Sequence, residues 1–135
     1  MATLAACSLV LTALLRTNSA HAQNDAEVAA RRNLLEQAQA ARVAGDHARA
    51  LDLANRAGRL QMSTSLRMFL AEEQQAVGQF SGALGTAELC VREAERDPAL
   101  RNRDAILARC NELRAALRPR VGFVTVTVPE PVTPG

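Results

Sequence analysis

Apolar positions along this chain recur with a helical period from residue 24 to residue 117 and then switch to strict alternation. Over 24–44 the stripe runs through Val28, Leu34, Leu35, Ala38, Ala41 and Val43. Asn24 or Asp25 stands where a cap would start this first helix. Gly45-Asp46 then breaks the pattern, because glycine suits a left-handed helix end and aspartate caps the next helix. A second helix is predicted over 46–59, with Ala50, Leu51, Ala54 and Ala57 inward, and Met62 and Ser63 fall in the link. A third covers 65–77, with Leu66, Phe69, Leu70, Ala71 and Val77 apolar, and ends at Gly78-Gln79. A fourth spans 81–95 through Ala83, Leu84, Ala87, Leu89, Cys90 and Val91, closed by Asp97-Pro98. A fifth, over 100–117, carries Ile106, Leu107, Cys110, Leu113 and Leu117 on one stripe. Pro119 stops the helices, and Val121 to Val128 alternates β-branched residues as a strand would. The expectation is an all-α fold of about five helices with one isolated strand-like tail. That strand has nothing in the chain to pair with.

The helices repeat. Gly45-Asp46-His47-Ala48-Arg49-Ala50-Leu51 returns as Gly78-Gln79-Phe80-Ser81-Gly82-Ala83-Leu84, 33 residues later. Ala57 and Cys90, both small, keep the register. A period of this length marks helix pairs that bury one face against the next pair. Gly45, Ala50, Ala57, Gly78, Ala83 and Cys90 are therefore the expected repeat-packing positions.

With Gly45-Asp46-His47, Ala50-Leu51 and Ala57 in one unit and Gly78-Gln79-Phe80, Ala83-Leu84, Cys90 and Asp97-Pro98 in the next, the chain resembles the tetratricopeptide repeats. The resemblance implies antiparallel helical pairs over 31–63 and 64–97, with 100–117 as a capping helix. The large aromatics of the family pattern are missing: Leu34 and Ala41 stand there in the first unit, Arg67 and Gln74 in the second. His47 replaces the turn aromatic, and Met62 stands at the closing proline of the first unit. The tail, Gly122-Phe123-Val124-Thr125-Val126 followed by proline, resembles the opening strand of a PEGA-type β module.

The beginning of the chain reads differently. Residues 2–15 are nearly all apolar, and Ala20-His21-Ala22 comes after them as an A-x-A site. This is the pattern of a secretory signal peptide cut after Ala22, and the run is short for a membrane span. No Lys or Arg precedes the run, so an uncleaved anchor or a buried helix stays open, as does a start upstream of Met1. Leu4-Ala5-Ala6-Cys7 resembles a lipobox, but most of the apolar run lies after the cysteine instead of before it. The division is thus 1–22 signal peptide, 23–118 helical domain, and 119–135 a proline-rich tail that could open a further β domain. Export to the periplasm or outer envelope of a bacterium is expected, with no stable membrane span after cleavage.

Charge adds little direction. All 16 basic residues are arginine, and 14 acids are interspersed with them for a net +2. Such a surface is solvated and lacks the basic stripe of a nucleic-acid binder. The three phenylalanines and the absence of Trp and Tyr offer no stacking platform for bases.

Catalytic chemistry is not suggested. Beyond residue 22 a single histidine, His47, sits at a turn, and a zinc site needs three or four ligands. No serine–histidine–acid set assembles. Gly78, Gly82 and Gly85 lack the strand, lysine and hydroxyl of a phosphate loop, and read instead as places where helices approach closely. Glu72-Glu73 and the Glu93/Glu95 pair read as solvated helix faces.

Cys90 and Cys110 could bridge in an oxidising compartment. With helices ending near 96 and starting near 99, they would be offset by roughly 7 Å along the axes. Neighbouring axes add ~8–10 Å, whereas a bridge needs α-carbons within about 7 Å. Two separate buried thiols are therefore expected.

The function expected is recognition of a protein or peptide partner, without cofactor, metal or catalysis. Asn33, Gln37, Arg67 and Gln74, with Glu73, are the candidate partner-binding residues; Arg67, Gln74 and Gln75 could hydrogen-bond an extended backbone. The bland reading is that these side chains are only solvated. The competing function is a helical stalk of a larger envelope protein with a C-terminal β module.

Overall fold

The structure, a computed structural model, describes residues 7–122 and 124. It is all-α among those residues: α1 (Cys7–Val43), α2 (His47–Leu60), α3 (Thr64–Ala76), α4 (Phe80–Arg96) and α5 (Arg103–Leu117), followed by a 3-10 turn at Arg118–Arg120. The proposed strand lies outside the described residues except for Val121, Gly122 and Val124. α1 runs unbroken through Ala22 and past Asn24 and Asp25, so neither of these caps its start. No described helix is long and apolar enough to cross a membrane.

The 33-residue register holds to the residue at the helix ends. α1 ends at Val43 and α3 at Ala76; α2 starts at His47 and α4 at Phe80. Both turns close in the same way. The Asp46 amide donates to the Ala41 carbonyl and the Gly45 amide to that of Arg42; the Gln79 amide donates to Gln74 and that of Gly78 to Gln75. This paired bonding requires a left-handed residue after the helix, and Gly45 and Gly78 supply it with φ of 77° and 80°. Asp46 then caps α2, its carboxylate accepting from the Arg49 amide at 3.1 Å. Ser63 caps α3 by accepting from the Leu66 amide. Both satisfy amides that a helix start otherwise leaves open.

Each pair packs through small residues. Ala38, Ala50, Ala54 and Ala57 are fully buried in the first, and Ala71, Ala83, Ala87 and Cys90 in the second. Leu51, Leu53, Leu66 and Leu70 join the first core, against half-buried Leu34, Leu35, Phe69 and Val77. Leu84, Leu113 and Leu117 fill the junction with α5. The apolar stripe is narrower than its spacing suggests: Val28 and Val43 on α1 and Leu89 on α4 are exposed. Gly82 and Gly85 do not serve close helix approach either. Both are exposed, and a Cβ on Gly85 would meet nothing within 4 Å. Gly58 is the crowded one, since a Cβ there would fall 2.6 Å from Met62 Cε.

The separate-thiol expectation for Cys90 and Cys110 is wrong. They form a disulfide, with α-carbons 6.1 Å apart. α5 begins at Arg103, after a turn in which Asp97 accepts from the Ala99 amide and Asn102 takes a left-handed conformation (φ 57°). Cys90 and Cys110 therefore stand at nearly equal heights from that turn. Their α-carbons also lie on facing sides of the helices, about 2.3 Å in from each axis, which brings them well inside the axis separation.

Ala50→Gln and Ala83→Gln should each destabilise the protein by about 2–3 kcal/mol, because neither site has room for the added atoms. At ~4–8 °C per kcal/mol for a domain of this size, thermal melts followed by circular dichroism should shift by about 10 °C or more. Ala108→Gln, on the exposed side of α5, serves as the control. Melts unchanged at both buried alanines would contradict the packing described.

Candidate functional site

The register identifies which faces of the helices are committed to packing. On α3, Leu66, Leu70 and Glu73 are buried and Val77 just beyond it is half-buried. Thirty-three residues earlier stand Asn33, Gln37, Ala40 and Ala44, which are exposed. Asn33 and Gln37 hydrogen-bond to one another on this side of α1. Arg67 is drawn to α4 by an ion pair with Glu93 at 2.6 Å. Gln74 also turns to α4, near Gly82, with its buried Oε1 unpaired. The structure thus places the four candidate residues on different sides and does not bring them together.

A different set does converge. α1 and α3 flank a groove of about 210 Å³ whose floor includes Leu35, Ala38, Leu66 and Phe69, with Arg31, Gln39 and Ser65 at its edges. Arg31 fixes one end: its Nε donates to the Gln61 carbonyl at 2.9 Å and its Nη2 to Ser63 Oγ. This ties α1 to the link that starts α3.

At the other end a chain of charges joins four helices. Arg42 of α1 reaches Glu72 (2.9 Å) and Glu73 (2.6 Å) of α3. Its guanidinium carbon lies 3.7 Å from the centroid of the Phe69 ring, a stacked cation–π contact. The second oxygen of Glu73 accepts from His47 Nδ1 of α2 at 2.9 Å, so the ring carries its proton on Nδ1 toward the carboxylate. The second oxygen of Glu72 accepts from Arg109 of α5 at 2.7 Å, and Arg109 also meets Glu112. Arg109's pKa is raised above its ordinary value, first by the hydrogen bond to Glu72 and then by that to Glu112.

Glu72 and Glu73 are therefore not a solvated face. Glu73 is only 2% exposed, and both its oxygens are occupied. A carboxylate so placed is tolerated because it is paired and hydrogen-bonded on each side. Chemically, the arrangement holds side chains in position. It sets Arg42 over Phe69 and fixes the groove floor between α1 and α3. Among the described residues no group of three or more potential ligands could hold a metal.

Sequence reasoning places Leu35 and Phe69 at core positions and overlooks Gln39, Ser65 and Arg42. The available signal is the 33-residue offset itself. Once Leu66 and Leu70 are read as packing positions, Asn33 and Gln37 belong to the equivalent side of α1, and the groove side lies further round. No family model, curated protein or solved structure matches the chain.

Glu73→Ala should cost about 3 kcal/mol, the low end for breaking a buried pair, since Arg42 keeps some contact with water. Glu112→Ala, on an exposed pair, should cost less than about 1 kcal/mol. Urea unfolding midpoints measure both. Equal, small shifts would show that the network carries no such role.

Proposed function

We propose that this chain is an exported helical-repeat module of the tetratricopeptide type that binds a protein or peptide partner, and that it performs no catalytic step. The observation that carries the reading is the groove between α1 and α3, with an apolar floor of Leu35, Leu66 and Phe69 and polar edges at Gln39 and Ser65. A partner's apolar side chain would seat on that floor while Gln39 and Ser65 hydrogen-bond its backbone. Arg42, braced by Glu72 and Glu73, keeps Phe69 in place without reorganisation on binding. A preformed site of this kind spends little affinity on ordering its own side chains. Export is supported by the A-x-A pattern at 20–22 and by the Cys90–Cys110 bridge, which forms in oxidising compartments.

One observation favours the second reading, a helical stalk of a larger envelope protein. α1 has 37 residues against 14 in α2, so it outruns its partner, and residues 23–30 are exposed.

Selection of a displayed peptide library on the full chain separates the two. The binding reading expects enriched peptides whose affinity falls about tenfold or more in Ser65→Trp, which fills the groove, a loss of ~1.4 kcal/mol. Asn33→Trp and Gln37→Trp, on the other side of α1, should leave affinity unchanged. A selection that enriches nothing, or peptides indifferent to Ser65→Trp, would favour the stalk.

A further inference from the structure

We propose that the Cys90–Cys110 disulfide is a redox latch that holds α5 against the repeat, and that its reduction releases α5 while α1, α2 and α3 stay folded. The latch stands on packing alone; its consequence for the groove rests on the binding reading above.

The two helix junctions are built alike. Ile106, Cys110, Leu113 and Leu117 of α5 each lie forty residues after Leu66, Leu70, Glu73 and Val77 of the α3 face. α5 therefore lies on α4 as α3 lies on α2. At the first junction the counterparts of Cys90 and Cys110 are Ala57 and Leu70, which meet without a bond. The covalent link is placed only at the second.

That second junction has less to hold it. α3 is covered by α1 and α2 on one side and by α4 and α5 on the other, whereas α5 buries only Ile106, Cys110, Leu113 and Leu117. Its outer residues, among them Ala105, Ala108, Ala115 and Ala116, are exposed. The remaining ties are Arg103 donating to the Ala94 carbonyl at 2.8 Å and the half-exposed Arg109–Glu72 pair. Exposed ion pairs hold little, so the bridge is the dominant restraint on α5. It acts by limiting the chain that α5 could otherwise explore when detached.

Both cysteines are fully buried. A thiolate can reach them only after α5 lifts, so the exchange rate tracks local opening. The reductant is a dithiol. One of its thiolates attacks a bridge sulfur, forming a mixed disulfide and releasing the other cysteine, which takes up a proton. The second dithiol sulfur then closes a cyclic disulfide and frees the remaining cysteine. Two electrons pass from the dithiol to the protein. Cys90 Sγ lies 3.8 Å from the Thr64 carbonyl of α3, a ready acceptor for its new S–H. Cys90 thus remains seated after reduction, and α5 is the part that leaves. With it goes Arg109, one of the two arginines that fix Glu72 at the end of the groove.

Hydrogen exchange of the full chain, oxidised and then reduced with dithiothreitol, tests this by mass spectrometry. Exchange in residues 103–117 should rise about tenfold or more on reduction, while peptides from α2 and α3 change less than about twofold. Unchanged protection in α5 would overturn the proposal. So would equal acceleration everywhere, which would make the bridge a general staple. Cys90→Ala with Cys110→Leu copies the first junction, and its α5 should stay protected and ignore dithiothreitol. Continued sensitivity in that variant would place the response elsewhere and overturn the latch. None of these readouts uses a peptide ligand, so failure of the binding reading leaves them intact.

Discussion

The fold depends on close approach between paired helices at positions too small to hold them apart. Ala38, Ala50, Ala54 and Ala57 in the first pair, and Ala71, Ala83, Ala87 and Cys90 in the second, all lie wholly out of water. Alanine contributes little apolar area, so the gain must come from dense contact along the whole interface. That requirement explains the turns. Helices this close need a short, sharply defined connection, and the left-handed glycines at 45 and 78 provide it twice in the same form. It also explains why the register is strict: sliding a helix by one residue would put a larger or charged side chain where an alanine now sits.

A core built this way leaves some work to polar and covalent links. Glu73 is buried among apolar neighbours, yet joins α3 to α1 through Arg42 and to α2 through His47. An ion pair in that position gains little over a well-packed hydrophobe in stability. Its geometric effect is larger: it fixes the rotation of α1 against α3 and so the shape of the groove between them. The disulfide does the corresponding task at the last helix, where packing comes from one side.

Much of the architecture is legible in the sequence. The period of 33, the two Gly-centred turns and the five helices arise from local signals, and local hydrogen bonds realise them. Three things are not legible, each for a physical reason. Glu72-Glu73 looks like a solvated pair because its partners, Arg42, His47 and Arg109, come from three other helices and share no local pattern with it. The disulfide depends on where α5 begins, and a left-handed Asn102 moves that start by three residues and removes the axial offset. The side of α1 that faces the groove is misread when polarity is equated with recognition. Asn33 and Gln37 are polar simply because nothing packs on them.

The central claim is that α1 and α3 are locked side by side at Arg42, Phe69 and Glu73 with the groove between them. Ring-current shifts test it most directly. With its guanidinium 3.7 Å from the Phe69 centroid, Arg42 should show side-chain protons displaced clearly upfield in the NMR spectrum. In Phe69→Leu they should return to ordinary values. Arg42 protons at random-coil positions in the folded wild-type chain would contradict the contact, and with it the groove on which the proposed function rests.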